Sequence, residues 1–194
     1  MHERRFHHSQ AHRLDAPERL TWLPPDEVVQ ALEVRAGEAI ADVGAGTGYF
    51  ALPLAKAVGS RGVVFAVDAQ PEMLELLRGK LAAAGRHNIR LIRAEADATG
   101  LPESTCDVVF LANIWHEFEN RALVLEEAHR ILMPGGRIAI LDWRPDVAPE
   151  PGPPLAHRLS AESASLEIAE AGFHDVTTAH TGHYSWLVQG KKRA

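Results

Sequence analysis

The residues best placed by type and spacing to do chemistry lie in Asp42-Val43-Gly44-Ala45-Gly46-Thr47-Gly48, between an apolar run and a helical pattern. Glycine tolerates positive φ and lets a ligand lie against bare backbone, and free N–H groups at a helix start add partial positive charge. Nucleotide and dinucleotide sites share such a turn. The dinucleotide fingerprint has its third glycine three residues after the second; that position is Tyr49 here, and the third glycine is Gly48. Asp42, two residues before Gly44, would repel a pyrophosphate and attract an ammonium group. The turn suits a ligand with a cationic amino-acid end.

Two further acids follow at strand ends. Asp68, in Val67-Asp68-Ala69-Gln70, is placed to accept hydrogen bonds from both hydroxyls of a ribose. Asp97, after the third apolar run, is placed to accept from an adenine amino group. Either could be a solvated loop-end or helix-cap residue. Three acids at successive strand ends together point to an adenosyl ligand.

These residues need a parallel sheet to position them. Short apolar runs at 39–43, 63–67, 89–93, 108–112 and 137–141 alternate with helical patterns at 48–58, 71–84 and 121–132. Such runs read as strands covered on both faces, and strand–helix repetition implies right-handed parallel crossovers. Met73, Leu74, Leu77 and Leu81 form one core-facing helical stripe, and Pro134-Gly135-Gly136 stops the third helix. Pro53 conflicts with the first helix, removing a hydrogen bond to the Tyr49 carbonyl, so that helix kinks or starts late. A short helix at 26–33, a helix capped by Ser160 and ended by Gly172, and two β-runs at 176–179 and 184–188 complete the pattern. Residues 144–154 hold five prolines and read as a loop.

Length and composition set the outer bounds. A chain of 194 residues suits one domain and can bury about 70% of its unfolded surface without staples. Hydrophobic residues at 46% and charged residues at 24% exclude disorder as the main state. A net charge of −6 argues against a free-standing nucleic-acid binder, whose affinity comes from phosphate contacts. Cys106 alone gives no disulfide framework and no cysteine metal site. No run is long and apolar enough for a membrane span or signal core, so a cytoplasmic location is expected. The organisation expected is an arm or lid at residues 1–23, one domain at 24–190 and a solvated basic tail at 191–194.

The chain resembles the class I S-adenosylmethionine-dependent methyltransferases, and within them the small-molecule branch of ubiquinone/menaquinone-biosynthesis C-methyltransferases. The likeness spans residues 26–190 and rests on four motifs in order: the Asp42–Gly48 turn, Val67-Asp68, residues 101–109 beginning Leu101-Pro102-Glu103, and residues 127–136 ending Met133-Pro134-Gly135-Gly136. Cys106 and Met133 depart from the usual phenylalanine and basic residue, outside the expected ligand site. The resemblance implies a Rossmann-like α/β sheet of seven strands, order 3-2-1-4-5-7-6 with strand 7 antiparallel, which the final β-runs fit. It implies S-adenosylmethionine as cofactor and S-adenosylhomocysteine as product. Asp42, Gly44, Ala45 and Gly46 would hold the methionine part, Asp68 the ribose, and Asp97 with Ala96 the adenine. Gln70 and Asn113 would lie near the ligand, as would Met73, for which plain core packing is an equal alternative.

In an open α/β sheet the reacting centre lies at the carboxyl ends of the strands. That rim holds Asn113-Ile114-Trp115-His116-Glu117 and Asp142-Trp143. Trp115 and Trp143 would flank a pocket for a small apolar or aromatic acceptor, or else plug the core. His116 is the candidate general base, the alternative being a histidine that shapes its loop. Alignment and exclusion of water can drive in-line methyl displacement without a base. His157, Arg158, His183 and Tyr184 are further candidate acceptor contacts. Four of the 11 histidines (His2, His7, His8 and His12) crowd the N-terminus without a ligand spacing, so no metal is expected.

Competing readings remain at this stage. One cysteine argues against arsenite methylation, residues 113–116 lack the motif of amino-methylating DNA enzymes, and Trp143 after Asp142 weakens a catechol-type reading. A protein or RNA methyltransferase is the alternative, and a non-catalytic binder of the same cofactor the next. Tyr49 and Asp42 disfavour a nucleotide-dependent oxidoreductase. The expected partner is a small-molecule acceptor with no nucleic acid; oligomeric state is left open, a homodimer among the options.

Overall fold

The β-runs become seven strands, the central ones buried on both faces and the last-but-one largely exposed: β1 (Ala39–Val43), β2 (Val63–Asp68), β3 (Ile89–Arg93), β4 (Cys106–Ala112), β5 (Leu132–Trp143), β6 (His174–Thr181) and β7 (Ser185–Lys191). The computed structural model describes residues 6–85, 87–148 and 150–194; residues 1–5, His2 among them, Arg86 and Pro149 lie outside the described residues. The sheet order is β3-β2-β1-β4-β5-β7-β6, and β7 runs antiparallel to both neighbours. This is the seven-stranded arrangement expected.

Alternation along β4 divides the core. Val108 and Phe110 face a layer with Leu54, Val58 and Leu77 from α3 (Ala51–Val58) and α4 (Pro71–Ala84). Val109 and Leu111 face a second layer with Ala128, Ile131 and Ile168 from α5 (Arg121–Ile131) and α6 (Ala161–Glu170). Strand order reverses between β1 and β4, which both pair in parallel through Asp42 and Phe110. A crevice at the carboxyl ends of the strands opens at such a reversal.

Three local expectations shift for physical reasons. The helix after the glycines starts at Ala51, not at 48, which puts Pro53 in the first turn, where no backbone donor is needed. Helix α5 ends at Ile131 and β5 begins at Leu132, so Pro134-Gly135-Gly136 belongs to the strand rather than to a helix stop. Gly135 N donates to Lys192 O and Lys192 N to Gly136 O, extending the β5–β7 pairing past residue 190. Lys192 Nζ also donates to the carbonyls of His129 and Leu132, so this lysine is tied down, not a solvated tail residue.

Residues 6–22 form a 3-10 turn (His8–Asp15) and the short helix α1 (Arg19–Trp22), followed by α2 (Pro25–Ala31). Phe6 N donates to Glu117 Oε1 at 3.1 Å, and His8 N donates to Gln70 Oε1 at 3.0 Å while Gln70 Nε2 donates to Phe6 O at 2.8 Å. Thr47 Oγ1 donates to Asp15 Oδ1 at 2.8 Å. The segment therefore bridges the loops after β1, β2 and β4. No helix among the described residues is long and apolar enough to cross a membrane.

Candidate active site

The turn after β1 is built from backbone. Gly44 N and Ala45 N donate to Val67 O at 2.8 and 3.0 Å, binding the turn to the end of β2. Asp68 then braces it: Oδ2 accepts from Gly46 N at 2.8 Å and Oδ1 from Gln70 N at 2.9 Å. Gly44 has φ +74°, and a Cβ there would stand 2.4 Å from Ile114 Cδ1, so residue type and neighbour both demand glycine.

Asp42 lies beneath this turn, only 2% exposed, and its Oδ2 has no partner. Burial, reinforced by the nearby Asp68 charge, pushes its carboxyl up to about 7. Asn113, with φ +58°, likewise has both amide atoms of its side chain buried and unpartnered. Native proteins rarely leave such groups unsatisfied without a purpose.

These residues wall a cavity of about 760 Å³. Asp42, Gly44, Ala45, Gly46, Asp68, Gln70, Met73, Ala96 and Asn113 all line it. Asp97 does not: it is exposed, because the chain turns back between Glu95 and Ala98, and Glu95 and Ala96 face the cavity instead. Met73 is both core and wall, 2% exposed on α4 and lining the cavity.

The rim after β4 and β5 splits the expected pair of tryptophans. Trp143 lines the cavity, but Trp115 is fully buried in the sheet's second layer, edge-on to Phe118, with Nε1 donating to Glu167 Oε2 at 3.1 Å. Its one polar atom is satisfied by α6, so it plugs the core, correcting its assignment to an acceptor pocket. The second indole of the cavity is Trp22 from α1, 5.3 Å from Trp143 and edge-on to Tyr184 at 6.2 Å. Only contact across the fold reveals Trp22.

His116 also lines the cavity and is 6% exposed. Its backbone N donates to Asp142 Oδ2 at 2.8 Å, and its Nδ1 lies 2.9 Å from Asp142 Oδ1. Burial works against charge on the imidazole, but the hydrogen bond and charge of Asp142 outweigh it, with Glu117 adding to them, and the pKa is raised. With Nδ1–H donating to the carboxylate, the neutral ring keeps its lone pair on Nε2. Asp142 is fully buried and also accepts from Trp143 N at 2.8 Å.

Arg158 and His157 part company. Arg158 is buried and donates to the carbonyls of Arg144, Ala148, Pro151 and Pro153, with its guanidinium 5.5 Å from the Trp143 ring. It ties the proline-rich loop down beside the site, whereas His157 lines the cavity. His183 and Tyr184 do not line it.

A family described as "Methyltransferase domain" matches residues 41–140. The ubiquinone/menaquinone biosynthesis C-methyltransferase of Marinomonas sp. is 33% identical over 111 residues, covering 57% of this chain and 44% of that protein. The demethylmenaquinone methyltransferase of Shouchella clausii is 35% identical over 116 residues, covering 60% and 49%. The chain thus spans about half the length of the curated relatives it matches. A S-adenosylmethionine-dependent methyltransferase from Aquifex aeolicus superposes with a TM-score of 0.91 at 31% identity, covering 96% of this chain and 99% of that one. The chain belongs to the class I S-adenosylmethionine-dependent methyltransferases.

Proposed function

We propose that the protein transfers a methyl group from S-adenosylmethionine to a small apolar or aromatic organic acceptor. One observation carries the reading: a single cavity joins an unpartnered buried acid, Asp42, and bare glycines to an aromatic wall of Trp22 and Trp143. When bound, S-adenosylmethionine supplies a methyl group already activated on a sulfonium. Asp42 takes the ammonium of the donor's amino-acid end, which satisfies the orphaned Oδ2. Gly44 and Gly46 let the chain of the donor lie against backbone, and Asp68 meets the ribose while still bracing the turn. Asn113 offers its amide to the same ligand.

The acceptor lies against Trp22 and Trp143, whose electron-rich faces also tolerate positive charge. Residues of the 6–22 segment line the cavity and are tethered across it, and lying over bound donor they would exclude water, which favours alignment and in-line displacement. His116 Nε2 removes a proton from the acceptor as the new bond forms, and Asp142 holds the ring in the tautomer that allows it. A cover of this kind favours a small acceptor over a macromolecular chain.

The test is transfer of labelled methyl from S-adenosylmethionine into cell extract, with Asp42→Ala as control. Label in the solvent-extractable or soluble small-molecule fraction supports the proposal. Label in acid-precipitated protein or RNA overturns the small-molecule reading, and tight S-adenosylhomocysteine binding with no transfer to any extract supports a non-catalytic binder.

A further inference from the structure

Arg19 presents a cation that the fold itself leaves incompletely used. It stands on α1, is 5% exposed, and lines the same cavity as Asp42. Its Nη1 donates to the Leu14 carbonyl at 2.9 Å, and its Nε is buried with no partner. The guanidinium carbon lies 3.9 Å from the centroid of Tyr49, the residue that follows the glycine turn. Asp15, the nearest acid acting on it, already accepts from Thr47 Oγ1 and Lys80 Nζ. Burial pulls the Arg19 pKa down to about 10, with Tyr49 and Asp15 opposing. A buried cation with a free N–H is costly until an anion arrives.

Its place beside the turn, against Tyr49 and on the same cavity wall, indicates which anion. Leu14, which Arg19 holds by its carbonyl, approaches so near the turn that a Cβ on Gly46 would stand 3.2 Å from Leu14 Cδ1. Asp42, Gly44, Gly46 and Arg19 all line the one cavity, so an acid and a cation flank the same glycine turn. We infer that Arg19 receives the carboxylate of the donor's amino-acid end while Asp42 takes its ammonium. The zwitterion then clamps residues 6–22 onto the sheet, so the segment is part of the donor site. A guanidinium fork matches a carboxylate with two parallel hydrogen bonds, which a lysine cannot reproduce. The inference rests on the proposed function and names a residue for it.

Calorimetric titration of the full chain with S-adenosylhomocysteine and with its decarboxylated analogue tests the assignment. The wild type is expected to bind S-adenosylhomocysteine roughly ten- to a hundredfold tighter than the analogue. Arg19→Met should remove that preference and leave the analogue's affinity unchanged, and Arg19→Lys should restore part of it. Circular dichroism melts identify a variant that fails to fold; for such a variant, the wild-type preference and Arg19→Lys carry the test. Equal wild-type binding of both ligands overturns the inference and leaves the proposed function standing, as does an equal loss for both ligands in a folded Arg19→Met. A wild type that binds neither ligand overturns the proposed function itself, and with it this assignment.

Discussion

Replacing Asp42 by asparagine should make the ligand-free protein more stable while spoiling its site. The folded carboxyl is raised from 3.8 to about 7 by burial and by Asp68, so the fold holds a proton that the unfolded chain releases. Below pH 3.8 both states are protonated and Asp42 costs nothing; as pH rises towards 7, stability is lost. At about 1.36 kcal/mol per pH unit, the loss reaches at most ~4 kcal/mol. A chain of this size shifts Tm by roughly 2–4 °C per kcal/mol, so Asp42→Asn could gain roughly 10 °C at pH 8. Thermal unfolding of both proteins at pH 5 and pH 8 isolates the charge, because any packing cost of the amide is the same at both. S-adenosylhomocysteine should then raise the Tm of the wild type at pH 8 and barely move the variant. A stability gap that does not widen between pH 5 and pH 8 would refute the claim that Asp42 ionises against its surroundings.

Other substitutions separate the parts of the site. His116→Gln should lower the single-turnover rate of methyl transfer by roughly 10²–10⁴-fold with S-adenosylhomocysteine affinity unchanged, as expected of a general base. Because Asp142 raises the imidazole pKa, the wild-type single-turnover rate of methyl transfer should rise with pH through a midpoint above 6.5, and Asp142→Asn should move that midpoint down; a pH-independent single-turnover rate would exclude His116 as the base. Asp68→Ala should weaken S-adenosylhomocysteine by about 1.5–3 kcal/mol in calorimetry, and unchanged affinity would remove Asp68 from the ribose site. Gly44→Ala, forced to φ +74° against Ile114, should lose about 1–3 kcal/mol in urea unfolding, together with donor binding.

Much of the sheet was legible because its strands are short apolar runs bounded by glycines and acids, and the turn after β1 carries its constraint in residue type. Asp42, the glycines and Asp68 could be named because backbone geometry alone brings strand ends together. Trp115 and Asp97 lie off the cavity wall for one reason: which way a side chain points after a strand ends depends on the loop, and periodicity stops there. The Asp142–His116 contact joins residues 26 apart along the chain, and Trp22 meets Trp143 from a segment whose polar sequence gives no hint of docking. Arg158 read as an acceptor contact because its carbonyl partners are main-chain atoms, which carry no residue signature. Pro53 gave the clearest local clue, since its missing N–H forced the late helix start.

The cover formed by residues 6–22 has a kinetic consequence. Its first part, through Asp15, is fastened to the sheet's loops by individual polar contacts, through Glu117, Gln70, Thr47 and Lys80, while Trp22 at its end packs on the core. Such a segment detaches without unfolding the strands beneath it. If spent donor leaves only once this part detaches, release, rather than bond making, would set the turnover rate. Turnover would then slow in viscous solvent and be indifferent to deuterium in the transferred methyl group.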